Sequence, residues 1–124
     1  MNNLQQSFGP RLLLDESMSK HSTLRIGGPA KYFLDVKNAD EVIKAIGAAK
    51  QDGINCAVIG GGSNILVSDA GFNGLVIRMS DSEIKIGGEK IYAGAGVFSV
   101  SFARGAYDAG LSGLEWMATL PGTV

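Results

Sequence analysis

Gly60-Gly61-Gly62-Ser63-Asn64 is the stretch best suited to hold an anion. Consecutive backbone N–H groups in a turn form an anion-binding concavity, and the missing Cβ of glycine lets a pyrophosphate approach the main chain. Ser63 and Asn64 add hydroxyl and amide donors. The bland alternative is a tight turn between Cys56-Ala57-Val58-Ile59 and Ile65-Leu66-Val67. Composition leaves both readings open. Two phosphate-loop types are excluded. No Gly-Lys-Ser/Thr follows, so this is not a Walker A loop. A dinucleotide fingerprint would need glycine or alanine at position 65 and a helix opening there, whereas Ile65-Leu66-Val67 reads as strand.

A second glycine turn, Gly94-Ala95-Gly96, precedes a helical pattern. It could present helix N-terminal amides to an anion or serve only tight packing. Other chemistry is sparse. His21 has no cysteine or second histidine with which to share a metal, so no metal site is expected. The single Cys56 excludes an internal disulfide framework and, inside an apolar run, reads as a buried thiol. No Ser, His and carboxylate set has a catalytic spacing, so no catalytic residue is assigned.

The elements that would position the glycine turns follow from pattern. Residues 1–17 read as a polar lead-in, with a short strand or helical turn around Arg11-Leu12-Leu13-Leu14. Gly27-Gly28-Pro29 marks a turn and Ala30–Val36 a strand. Ala39–Gln51 is the clearest helix, capped by Asn38 or Asp40, with Val42, Ile43, Ile46 and Ala49 on its apolar face. Ile54–Ile59 reads as a buried strand, which completes a β-α-β unit. Leu75–Met79 is a further strand. Glu83–Ile86 and Lys90–Ala93 form a hairpin around Gly87-Gly88-Glu89. Val97–Ala109 is a second helix with Gly110 at its C′ position. The last residues, Leu120-Pro121-Gly122-Thr123-Val124, lead toward another element, so the chain is expected to be part of a longer one.

Composition is that of an ordinary globular protein, with 45% apolar and 19% charged residues. The net charge of −1 and scattered signs point away from nucleic acid and membrane surfaces. The N-terminus lacks a signal-peptide pattern and no apolar run approaches a membrane span, so a cytoplasmic location is expected. Eighteen glycines in 124 residues are roughly twice the usual ~7%. Without a Gly-x-y period, the excess implies tight turns and close backbone approaches.

Four segments in order carry a resemblance. They are His21-Ser22-Thr23-Leu24-Arg25-Ile26-Gly27-Gly28-Pro29-Ala30, Gly60–Asn64, Gly94-Ala95-Gly96, and Gly113-Leu114-Glu115 with Leu120-Pro121-Gly122-Thr123-Val124. The chain resembles the N-terminal part of the UDP-N-acetylenolpyruvoylglucosamine reductase family, also called UDP-N-acetylmuramate dehydrogenase or MurB. Leu120 stands where isoleucine is commoner.

The resemblance implies an α+β fold of the vanillyl-alcohol-oxidase/PCMH type, over residues 18–124. Two small α+β subdomains would clamp FAD, the second incomplete here. By similarity, Gly60, Gly61, Gly62, Ser63 and Asn64 would hold the pyrophosphate, and Gly94 and Gly96 would line the same cleft. Pro121, Gly122 and Thr123 would begin the turn near the flavin. Arg25 and Ile26 would border the cofactor, with a surface ion pair as the alternative for Arg25. The implied reaction uses NADPH, FAD and an enolpyruvyl UDP-sugar, and yields UDP-N-acetylmuramate for peptidoglycan. Its arginine, acidic residue and serine would lie beyond Val124, so the 124 residues alone are expected to be inactive and to bind FAD weakly at best. The competing readings are a non-catalytic flavin- or nucleotide-binding module and another flavin oxidase of the same fold.

Overall fold

Side-chain alternation on two central strands decides the layering. The computed structural model describes residues 1–124. Strands β1 (Leu13–Ser17), β2 (Pro29–Val36), β3 (Cys56–Ile59) and β4 (Phe72–Met79) form one sheet of order β1-β2-β4-β3. β1 is antiparallel to β2, while β2 and β3 both run parallel to β4. Leu34, Val36, Leu75 and Ile77 point to one face and are fully buried there. Helices α1 (Asn3–Phe8) and α2 (Ala39–Gln51) supply the rest of that cluster. Phe33 and Val76 point to the opposite face and pack with Met18, Ala30 and the loop residue Val67. No α-helix joins this second, smaller cluster; Met18 comes from a 3₁₀ turn, Met18–Lys20.

Helix α2 has the expected bounds, and the Asn38 side chain accepts from Glu41 N at 2.9 Å. Its buried face overlaps the expected one only in part, since Ala49 is buried and Val42 packs against the core but the two isoleucines do not. Ala45, Ala48 and Ala49 are buried, whereas Ile43 and Ile46 are 69% and 41% exposed. The alanine stripe fits the helical period equally well, and Leu4 and Phe8 of α1 supply the bulk that alanines lack.

Those two residues belong to a segment whose sequence reads as a polar lead-in. The segment is part of the core instead. Asn2 and Gln5 form a reciprocal capping box. Asp52, at the end of α2, accepts from the backbone N–H groups of Asn3 and Leu4 at 3.1 Å each. Leu4 and Phe8 are thereby set four residues apart on one face, toward the sheet.

Two further expectations are corrected. Cys56 is exposed, and Val58 is 52% exposed, because β3 lies at the sheet edge and begins only at Cys56. Ile65-Leu66-Val67 forms no strand and lies in a loop, with Leu66 exposed and Val67 turned onto the sheet. The β-α-β unit exists as β2-α2-β3, but β4 is inserted between its strands.

The remaining elements form a second, smaller layer. β5 (Ile84–Gly87) and β6 (Lys90–Ala93) are a hairpin whose Gly87–Lys90 pairing leaves the turn Gly88-Glu89. α3 (Ser99–Asp108) starts two residues later than its pattern suggests. Gly105 of α3 faces Ile84 and Ile91 of the hairpin. A 3₁₀ turn, Glu115–Thr119, follows. No helix is long and apolar enough to cross a membrane.

Outside the core, Arg11 grips the Glu41 carboxylate with bonds of 2.6 and 3.0 Å, and Lys37 N donates to it at 2.9 Å. The Arg11 bond, then the Lys37 N–H, hold the Glu41 carboxyl down at about 2, from 4.5. A carboxyl lowered by folding adds stability above its unfolded value, and that stability is lost as pH falls through the folded value. Glu41→Gln is therefore expected to cost about 1 kcal/mol at pH 7, because both side chains are partly solvated. It should also flatten the stability profile between pH 4.5 and about 2, as measured by urea unfolding at stepped pH. In contrast, Gly47→Ala fills open space in α2 and should raise stability by roughly 0.5–1 kcal/mol in the same assay.

Candidate functional site

Three loops converge around the end of β3. Thr23 N donates to Gly62 O at 3.0 Å. Gly61 N donates to the Thr123 hydroxyl at 3.1 Å. Gly122 O accepts from Ser99 N at 3.0 Å, which ties the third loop to the start of α3. Thr23 of the first loop, Gly61 and Gly62 of the second, and Gly122 and Thr123 of the third are thus brought together.

The glycines of the central loop permit these approaches. Gly62 has φ +76°, and a Cβ there would strike the carbonyl oxygen of His21. A Cβ on Gly60 would come within 2.5 Å of the Thr123 hydroxyl. The Gly61 amide thus already points at an oxygen, and the loop leaves that amide exposed. The backbone has the form of an anion cradle, with a hydroxyl oxygen as its present acceptor. Ser63 and Asn64 are exposed beside it.

Next to the cradle lies an open cleft of about 560 Å³, lined by polar residues and glycine alone. Ser19, Lys20, Thr23, Arg25 and Gly61 contribute to it. Arg25 has φ +54°, an uncommon conformation for a side-chain-bearing residue. It takes part in none of the six ion pairs of the chain, so the surface-ion-pair alternative is not what the structure shows. Ile26 is half exposed, and its carbonyl accepts from the buried Ser22 hydroxyl at 3.0 Å. A polar, cation-bearing cleft beside a side-chain-free glycine loop fits a diphosphate.

Gly94 and Gly96 sit one step away. A Cβ on Gly94 would strike Asp81, and one on Gly96 would come within 2.7 Å of Ser80. Their backbone amides donate to Glu83 O and Asp81 O, at 2.8 and 2.7 Å. Internal packing thus explains both glycines. They reach the cradle indirectly, because Phe98 pairs with Thr123 and Val124 N donates to Val97 O. Pro121 is exposed at the outer edge.

Pattern reading missed a polar cluster behind the cradle, made of Glu16, His21, Asp35, Arg78 and Ser80. The readable signal was slight. Asp35 and Arg78 each interrupt an apolar strand, and the two strands pair them with each other. Burial works against ionisation of Asp35, but the bonds from Arg78 and Ser80 outweigh it and its carboxyl sits below the ordinary range. The His21 bond, then Lys20, lowers Glu16 in the same direction.

A glycine cradle that ends a parallel strand and opens no helix, facing a second polar loop, belongs to the flavin-binding class of α+β folds related to vanillyl-alcohol oxidase. Residues 30–124 match the FAD binding domain family, and the chain belongs to that family. It is 37% identical over 123 residues to the UDP-N-acetylenolpyruvoylglucosamine reductase of Geobacter metallireducens, covering 98% of this chain and 41% of that one. The corresponding reductase of Carboxydothermus hydrogenoformans is 39% identical, with 98% and 41% covered. The crystal structure of the reductase (MurB) from Thermus caldophilus superposes with a TM-score of 0.67 at 30% identity, over 91% of this chain and 38% of that one. A BBE-like protein of Physcomitrella patens, 19% identical with a TM-score of 0.62, shares the fold. The chain spans about two fifths of the length of the curated relatives named here.

The contact between Gly62 and His21 makes a clear prediction. Gly62→Ala should destabilise by on the order of 3 kcal/mol, from the clash and the positive φ together. Ser63→Ala, next in sequence but exposed, should stay within about 0.5 kcal/mol in the same denaturant titration.

Proposed function

We propose that this chain forms one wall of the FAD site in a UDP-N-acetylenolpyruvoylglucosamine reductase. The reaction would be the NADPH-dependent reduction of the enolpyruvyl UDP-sugar to UDP-N-acetylmuramate, a cytoplasmic step in making peptidoglycan precursors. The observation that carries the reading is the side-chain-free Gly60–Gly62 loop beside a wholly polar cleft. The reductase names of the relatives supply the substrate.

In this reading Gly60, Gly61 and Gly62 offer backbone amides to the diphosphate. Ser63, Asn64 and Thr123 contribute side-chain donors, and Arg25 supplies countercharge at the cleft mouth. Ile26, Pro121 and Gly122 set the loop edges, and Gly94 and Gly96 support the wall from behind. When bound, FAD would supply hydride-transfer chemistry that no side chain here can provide. The residues of this chain bind and orient. None is assigned a proton-transfer role, and the 124 residues alone should neither turn over substrate nor retain FAD.

The test uses the full-length protein. It should purify yellow, release FAD on denaturation, and oxidise NADPH only when the enolpyruvyl UDP-sugar is present. Colourless protein that no added FAD can reconstitute would refute the flavin reading. A flavoprotein that consumes oxygen with an alcohol, and ignores the UDP-sugar, would refute the reductase assignment alone.

A further inference from the structure

Asp35 and Arg78 are register partners on the parallel strands β2 and β4. Alternation places both on the face of Phe33 and Val76, away from the helices. Arg78 holds Asp35 by two bonds, Nε to Oδ1 at 2.5 Å and Nη2 to Oδ2 at 2.7 Å. Its remaining nitrogen, Nη1, donates to Nδ1 of His21 at 2.9 Å. A guanidinium can only donate, so Nδ1 accepts and the ring proton sits on Nε2. That proton is donated to Glu16 at 3.0 Å. The imidazole also stacks on Phe33, with centroids 4.0 Å apart and planes 19° apart. The ring is therefore held from three directions. At the far end the Ser80 hydroxyl donates to Asp35 at 2.9 Å.

Each end of this chain of bonds rests against a glycine turn. The carbonyl of His21 lies against Gly62, and the backbone of Ser80 lies against Gly96. His21 and Ser80 are 59 positions apart in sequence (80 minus 21) and are joined through Arg78 and Asp35. We propose that the His21–Arg78–Asp35–Ser80 relay is a positioning device that sets the spacing between the two glycine turns, and through it the shape of the diphosphate cleft. His21 and Arg78 are its positioning residues; His21 also lines the polar cleft, whereas Arg78 and Ser80 do not, so Ser80→Ala reads the relay apart from any direct contact. The inference rests on the flavin reading above.

The chemistry suits that task. A bidentate guanidinium–carboxylate pair has a fixed planar geometry, whereas a lysine at position 78 would be a point charge on a flexible stem. Moving His21 displaces its own carbonyl and the Thr23–Gly62 bond two residues on. Moving Ser80 loosens the ground on which Gly96 sits.

The experiment measures FAD, ADP and riboflavin affinities, with thermal stability, in full-length wild type, His21→Phe, Ser80→Ala and the double variant. Phenylalanine keeps the stack on Phe33 and removes both nitrogen contacts. His21→Phe should bind FAD and ADP about tenfold more weakly, from loss of a charge-assisted bond. Ser80→Ala should weaken both several-fold. The double variant should be less than additive, because residues without mutual contact would be acting through one relay. Riboflavin, which lacks the diphosphate, should bind as in wild type. Folded variants that bind FAD and ADP like wild type would overturn the relay, as would a parallel loss of riboflavin affinity. Wild type that binds neither FAD nor ADP would reject the flavin reading itself, and the relay with it. Should His21→Phe fail to fold, the affinities of Ser80→Ala decide alone.

Discussion

No side chain fits between Gly62 and the carbonyl of His21. That backbone contact fixes how the first polar loop meets the loop at the end of β3. The Thr23–Gly62 hydrogen bond forms within it, and the exposed Gly61 amide is left facing Thr123. A larger residue at position 62 would part the two loops, and the polar cleft between them would lose its floor. The cradle therefore depends on an absence of atoms more than on any functional group.

The two faces of the sheet divide the work. On the helix face, ten buried residues form one cluster that includes both helices. On the loop face only four residues form the buried core, with Ile59, Val67 and Phe72 partly buried against it and the Asp35–Arg78 pair beside it. Hydrophobic burial scales with apolar area, so most of the cohesion lies on the helix side. The loop side must be held by directional bonds, which specify geometry better than contacts between apolar groups do. A site that has to present amides at set positions belongs on that side.

What could be read from the sequence followed how local each signal was. Helix α2 has a capping residue, Asn38, and a long period, so its bounds were legible. The hairpin was legible from its Gly-Gly turn, and the end of α3 from Gly110, which adopts φ +72°. The cradle residues were legible because glycine runs are rare and their order matched a family. The face of α2 was not, since alanine and isoleucine stripes satisfied the same period and only α1 decided between them. Helix α1 was missed although its Asn2–Gln5 capping box is local, because six residues are too few to show a period and its anchor on the core, Asp52, lies about fifty residues away. The exposure of Cys56 depended on β3 being an edge strand, a fact of strand order that its own residues do not encode. The polar cluster behind the cradle was hidden for the same reason. It needs a parallel register to bring Asp35 beside Arg78.

That cluster is a poor device for stability. The Asp35 and Arg78 side chains are 41% and 33% exposed, so water screens their attraction and the net gain is small. An apolar pair would pack on Phe33 and Val76 at least as well. An apolar pair could not hold a ring nitrogen at one end and a hydroxyl at the other. The bidentate fork leaves one N–H of Arg78 aimed at His21, and the carboxylate leaves one lone pair for Ser80. The gain is in direction: two loops far apart in sequence are referred to the same two strands. Where glycine has removed the side chains that would otherwise locate a loop, an external frame of this kind must take over the task.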